Sequence, residues 1–418
     1  MAEQAPPAGG ERVPHRLQSG AETLARYCAI ALGFTLPISV AADNVLMGLL
    51  LLSWLASGHW SERWQRIRAN RVALAALVLF AVMALGLTWS QAPMSQALVY
   101  FRKYDDLLLL AILVTVVLDA RDRRRALLAL AAAVAVTVVL SIGIKLGLVP
   151  TGGFITGTAD NPTVFKKYLS QNIVVAFGCF LFAVLALDAP NRAWRTVWWT
   201  LAALAAFNVL FMVQGRTGYV VLPVLALWLL HGVSRWRGLL LAVLAVGVVL
   251  GGAYQFSPAF RTRVTMALGE WNSWQSSGRG TGGVGERLEF YDNTVKIIRS
   301  HPWFGVGTGD FERAYSEQVA GTDMPVTRNP HNQYLLTAAQ TGVLGLAAML
   351  VLFATQWRLA RRLPTRSERL LAGGLVLTIM VGSLFNSLLI DHTESLLFSW
   401  GAGVLFAGLG SRETERDG

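Results

Sequence analysis

Long apolar runs recur along nearly the whole chain, and no other feature limits so strongly what it can fold into. A bilayer core needs roughly 20 mostly apolar residues per helical crossing, and within it only helices or closed barrels satisfy their own backbone. The spacing predicts spans at about 26–42, 44–58, 72–90, 104–119, 126–148, 169–188, 197–214, 218–233, 238–254, 332–354, 370–390 and 394–410. The expected fold is therefore all-α, a polytopic membrane protein of about 12 transmembrane helices. Five divisions follow: a disordered cytoplasmic tail over 1–24, nine spans within 25–254, a large periplasmic loop domain over 255–331, three spans within 332–410, and a cytoplasmic tail over 411–418. The tail over 1–24 lacks the pattern of a cleaved signal, so the first span is expected to remain as an anchor.

Charge placement orients these spans. The net charge is +11, but the arginines sit in short clusters between apolar runs, as in cytoplasmic loops of membrane proteins, and not on a nucleic-acid-binding face. With the N-terminus inside, the loops 59–71, 119–125, 189–196, 231–237 and 355–369 hold four, four, two, two and five Lys/Arg, 17 in all. The short loops assigned outside (43, 91–96, 149–168, 215–217 and 391–393) hold three: Lys166, Lys167 and Arg216. The segment 255–331 is different in kind, with eight Lys/Arg, Gly-rich turns and a helical pattern over 285–300. Cys28 and Cys179 both fall in apolar runs, which suggests neither a disulfide nor a metal site.

Three constellations on the outer side could carry chemistry. In Gly215-Arg216-Thr217-Gly218 the glycines permit a tight turn and close approach to a ligand, and Arg216 offers a planar fork suited to phosphate. A snorkelling arginine at a helix end would look the same. Gly283-Val284-Gly285-Glu286-Arg287 opens the amphipathic helix, placing Arg287 near free N–H groups, unless it merely pairs with Glu286 or Asp292. Arg328-Asn329-Pro330-His331-Asn332 lies where the loop domain re-enters the membrane, with His331 expected in the first helical turn as a proton acceptor. Arg328 and Asn332 are possible supports, as are Lys166, Lys167 and Asp391. Arg102, Lys103, Asp105 and Asp106 gather at the outer end of the fourth span. The run His301-Pro302-Trp303-Phe304-Gly305-Val306-Gly307-Thr308-Gly309 resembles a GxGxG loop but follows no strand, and reads as a tight structural turn.

No P-loop, HExxH, external DxD or GxSxG pattern occurs. No cofactor or metal is expected. Arginines plus one histidine, on the side without nucleotide triphosphates, suit a donor already activated by a phosphate link.

Glu286-Arg287, His301 through Gly307, Asn329-Pro330-His331-Asn332 and Thr341-Gly342-Val343-Leu344-Gly345-Leu346, in this order and spacing, resemble the O-antigen ligase/polymerase superfamily, and its ligases most. The resemblance implies a GT-C-like membrane fold in the bacterial inner membrane. It implies metal-independent, inverting transfer of O-antigen polysaccharide from undecaprenyl diphosphate to a sugar hydroxyl of lipid A–core on the periplasmic face. The family's catalytic histidine falls on His331 and its two arginines on Arg216 and Arg287. Gln340-Thr341-Gly342 stands where the family often has Glu-Thr-Gly. O-antigen polymerases and protein O-oligosaccharyltransferases share these motifs and differ in acceptor. A transporter of lipid-linked substrate would instead need charges on broken helices at the bilayer midplane.

Overall fold

The computed structural model describes residues 15–256, 258–277 and 282–412, with sixteen α-helices and no strand among them. In chain order these are α1 (His15–Thr35), α2 (Val40–Ala56), α3 (Trp60–Ala69), α4 (Arg71–Leu85), α5 (Met94–Phe101), α6 (Asp106–Val116), α7 (Ala120–Lys145) and α8 (Tyr168–Leu187). There follow α9 (Arg192–Phe207), α10 (Arg216–Phe256), α11 (Pro258–Ser277), α12 (Gly282–Ser300), α13 (Phe311–Gln318), α14 (Gln333–Ala360), α15 (Arg366–Gly382) and α16 (His392–Phe406). The helical pattern expected over 285–300 lies within α12.

The molecule is all-helical and polytopic in character, but its helices are less uniform than twelve equal spans. Five are long and apolar enough to cross a bilayer alone: Ala120–Lys145, Tyr168–Leu187, Arg192–Met212, Arg216–Val233 and Gln333–Ala360. A sixth would arise if α2 and α3, bent by 117° at their junction, act as one. Other expected spans are short; α6 has 11 residues, about 16 Å at 1.5 Å per residue, against a hydrocarbon core of about 30 Å. Short helices survive here because they are interior. Every residue of α16 from Thr393 to Phe406 is buried, Trp400 donates its indole N–H to the Ala29 carbonyl, and a Cβ on Gly403 would lie 2.6 Å from Leu113.

Four expected boundaries move. The tail expected over 1–24 is helical from His15 onward. The fourth span begins at Asp106, after α5 and a 3₁₀ turn over Arg102–Tyr104. Arg102 and Lys103 lay between the expected outer loop 91–96 and the expected span start at 104; counted with the outer loops they make five Lys/Arg against 17. The loop expected at 231–237 is continuous with α10, since its sequence holds no proline and a single glycine to end the helix. Much of the expected ninth span, 238–254, has side chains outside the described residues. Finally, the eleventh span, expected to run to 390, stops at Gly382. Residues 383–391 form an irregular crossing segment, and it proves central to the site.

Candidate active site

Arg216 owes its position to a break in regular helix. After α9 the chain makes a π turn over Asn208–Met212, a wide turn often found at functional sites. The buried Asn208 amide donates to Ser141 Oγ at 2.7 Å. Asn172 of α8, fully buried, donates to the Val209 and Val213 carbonyls. Gly215 and Gly218 pack directly on Asn172: a Cβ would lie 2.4 Å and 1.5 Å from its side-chain atoms. The glycines were expected to let the backbone approach a ligand; what they approach is Asn172. The consequence is that Arg216, the first residue of α10, projects outward and is exposed while Thr217 behind it is buried. The 149–168 loop straps the same turn through Asn161 Oδ1, which accepts the Gln214 N–H at 3.0 Å.

Arg287 reaches this place from the opposite end of the sequence motif set. It stands one turn deeper in α12 than a helix N-terminus, so its setting is not the free N–H groups expected for it. Nor does it pair with Glu286 or Asp292; Lys296 takes Asp292 at 2.8 Å. Its guanidinium donates to the Phe385 carbonyl at 3.1 Å and to Asn386 Oδ1 at 3.5 Å. The amide of Asn386 in turn donates to Thr217 Oγ1 at 2.7 Å. One buried asparagine thus joins the elements bearing both arginines, and a Cβ on Gly283 would stand 3.5 Å from the Arg216 guanidinium. Burial, reinforced by the Arg216 charge, lowers the Arg287 pKa, though an arginine remains protonated at any physiological pH. Arg123 pairs with Glu368, Arg313 with Asp310 and Arg328 with Glu312, whereas exposed arginines elsewhere, such as Arg261 and Arg299, have no carboxylate partner among the described residues. Among the described residues, Arg216 and Arg287 have none either.

His331 lies beside this pair. It precedes α14 and is not in its first turn, because Asn332 takes the capping position and accepts the Leu335 N–H at 3.1 Å. His331 consequently adopts φ 57°, a left-handed conformation costing of order 1–3 kcal/mol that surrounding contacts must hold. Its N–H donates to Asn329 Oδ1 at 2.8 Å, and its carbonyl accepts from the Tyr291 hydroxyl at 3.2 Å. Tyr291 also donates to the Leu384 carbonyl, as does the Asn332 amide, both at 3.1 Å. Ser387 Oγ donates to Asn329 at 2.6 Å. The half-buried ring stacks on Phe290, with centroids 6.3 Å apart. Burial first, and the Arg287 charge second, lower its pKa below the ordinary 6.5. At neutral pH the imidazole is uncharged and able to take a proton.

The supporting candidates separate. Asn332 belongs to the site as cap and brace. Arg328 is exposed and committed to Glu312 at 2.8 Å, away from the arginine pair. Lys166 is buried, 3.7 Å from Asp43, which also lies 3.4 Å from His392. It anchors the start of α8 to α2 and α16 and faces neither lipid nor solvent. Lys167 remains exposed, and with Lys103 stands within electrostatic reach of Asp391. No contact joins Asp391 to His331 among the described residues. Gln340 is fully buried and accepts the Gly309 N–H at 3.0 Å, a purely structural use of the position. The 301–309 run is indeed a structural turn: Val306 and Gly307 donate to the Ala339 and Gln340 carbonyls, and Gly342 (φ 63°) interrupts α14 where a Cβ would meet the Trp303 carbonyl at 2.2 Å.

Asn172, Phe385, Asn386 and Ser387 were missed. Their signal in the sequence is modest: Gly382-Ser383 and Asn386-Ser387 are small or polar residues within an otherwise apolar stretch.

One of the comparisons with known proteins covers the same region. The family model described as O-antigen ligase matches residues 201–350, which contain Arg216, Arg287 and His331. A probable peptidoglycan glycosyltransferase FtsW of Dichelobacter nodosus is 29% identical over 210 residues, 47% of this chain and 47% of that protein. An uncharacterized protein of Haemophilus influenzae is 23% identical over 230 residues, 50% of this chain and 57% of that protein. The chain thus spans about half the length of the curated relatives it matches. A solved structure from work on the structural coordination of polymerization and crosslinking by a peptidoglycan synthase complex aligns with TM-score 0.47 and 18% identity. It covers 82% of this chain and 97% of that one.

Proposed function

We propose that the chain, whose residues 201–350 match the O-antigen ligase family model, is an inverting glycosyltransferase acting on a carrier-linked glycan at the periplasmic face of the bacterial inner membrane. The donor is O-antigen polysaccharide on undecaprenyl diphosphate, and the acceptor is a sugar hydroxyl of lipid A–core. The observation that carries this reading is the juxtaposition of two arginines from separate elements, linked through Asn386, with the half-buried His331 near Arg287. Cations held together in a partly desolvated place repel one another and favour a polyanion between them. Their planar forks match phosphate oxygens.

In the proposed step the acceptor oxygen attacks the anomeric carbon from the face opposite the diphosphate. The new C–O bond forms as the anomeric carbon–phosphate oxygen bond breaks, and the configuration inverts. The acceptor proton passes to His331, and the bonding pair leaves on the diphosphate, where Arg216 and Arg287 stabilise the growing charge. The arginines supply countercharge themselves, so transfer is expected to persist in the presence of a chelator. A polymerase or protein O-oligosaccharyltransferase would share every step and differ in acceptor.

The test is transfer in vitro with purified carrier-linked polysaccharide and lipid A–core. Arg216→Ala and Arg287→Ala should each reduce transfer by about ten- to a hundredfold, the equivalent of about 1.5–3 kcal/mol for a charge-assisted contact, and should weaken donor binding. Lysine at either position should restore part of the loss, because charge returns without the fork. Wild-type rates in both alanine variants would overturn the reading.

A further inference from the structure

The face of α12 turned away from Arg287 borders a cavity of about 330 Å³ lined by Trp274, Gln275, Glu289, Asp292, Asn293 and Met324. Glu289, Asp292, Asn293 and Lys296 follow the i, i+3, i+4, i+7 spacing of one helical face. Arg287 and Tyr291 occupy the other side, about 10 Å away across the helix. Helix α11 supplies Trp274, half-buried and tilted against Trp271 with centroids 5.9 Å apart. The Glu270 carboxylate accepts the Val284 N–H at 2.7 Å and ties α11 to the start of α12. Asn293 is 3% exposed and fixed, its amide donating to the Glu289 carbonyl at 3.1 Å while its oxygen accepts from Lys296.

The chemistry of this lining is selective. Trp274 and the Met324 methyl offer apolar surface; the exposed Asp292 carboxylate and Gln275 offer acceptors and a donor, while Asn293 is committed to Glu289, Lys296 and Met324. Lys296 is already paired with Asp292, so the lining has no uncommitted cation to hold a phosphate. Hydroxyl-rich rings with apolar C–H faces satisfy both kinds of surface; phosphorylated groups do not. We propose that this groove is a saccharide subsite for neutral or amino-substituted sugars of the donor glycan, one helix diameter from the diphosphate site. The proposal rests on the transferase reading for the identity of the glycan. The groove holds sugars beyond the one undergoing transfer, so it sets affinity for the chain and leaves bond breaking to the arginines and His331.

The experiment uses the full chain in detergent. The first probe is the polysaccharide released from lipopolysaccharide by mild acid, free of carrier, titrated calorimetrically. Wild type should bind it; Trp274→Ala and the exposed, fold-neutral Asp292→Asn should each weaken binding about tenfold, as loss of one aromatic or polar contact of about 1.4 kcal/mol would do, whereas Arg216→Ala should not. In transfer assays the same two groove variants should raise KM for the polysaccharide donor about tenfold with kcat unchanged, and leave KM for a carrier diphosphate bearing a single sugar as in wild type. Equal binding of the released polysaccharide by wild type and both groove variants would overturn the subsite, as would an equal KM change on both donors. If wild type fails to transfer yet binds the released polysaccharide in a Trp274-dependent way, the subsite stands and the transferase reading falls.

Discussion

Arg123 and Arg287 are both substantially buried arginines, and they are built in opposite ways. Arg123, at the start of α7, is 1% exposed and donates to Glu368 at 2.8 Å; Glu368 also closes a capping box with Thr365 on α15. Every charge there is answered within the protein, so the pair ties two helices and has nothing left to bind. Arg287 is answered only by a carbonyl and an amide oxygen, with Arg216 adding like charge. Two arginines brought near each other without a carboxylate between them leave room for the anion proposed above.

The largest expected effect breaks the comparison at the residue beside the arginines. His331→Gln keeps a hydrogen-bonding side chain but removes the base, and should lower kcat by about 10² to 10⁴, with donor binding retained. Near-normal turnover would reduce His331 to an orienting group. Arg123→Ala should act on the other side of the contrast. Leaving Glu368 buried and unpaired costs about 3–5 kcal/mol, so the detergent-solubilised protein should melt at a lower temperature, while the folded fraction retains its KM for donor. A raised KM without a melting shift would erase the distinction between the two arginines.

Smaller effects sharpen it. Asn386→Ala removes the bridge between Arg287 and Thr217 and should reduce transfer by roughly fivefold, about 1 kcal/mol for a hydrogen bond. Arg216→Ala in the same chain should then cost less than it does alone, because coupled residues are not additive; strict additivity in the double-mutant cycle would deny the coupling. The smallest effect is on pH. Burial and the Arg287 charge both disfavour imidazolium, so the acid limb of kcat/KM should have its midpoint below 6.5. Arg287→Gln removes the second cause but not the first, so the midpoint of the residual activity should move upward while staying below the ordinary value. A downward shift would contradict the placement of that charge beside His331.

Much of this was legible before any fold was available. Apolar runs dictate membrane helices because backbone in hydrocarbon must satisfy itself, and clustered arginines orient them. Arg216, Arg287 and His331 stand out as polar residues in segments that charge counting expects on the outer side. Lys166 misleads for a physical reason: a lysine beside an exposed lysine looks like surface until Asp43, more than a hundred residues earlier, turns out to be its partner. His331 was expected in the first helical turn but stands just before it, because Asn332 takes the capping position, and only the chain's actual path decides which of two adjacent residues caps.

What the sequence by itself determined is the class of molecule, an all-helical polytopic membrane protein, and the polar residue types available to its proposed site. These follow from properties that sum along the chain, hydropathy and charge. The tertiary structure alone decided that α15 stops at Gly382, that residues 383–391 cross behind the site, and that Asn386 joins Arg287 to Thr217. Those outcomes depend on contacts between residues 99 and 169 positions apart, and no local pattern encodes such contacts, because the same Leu-Phe-Asn-Ser-Leu stretch could equally well continue a buried helix.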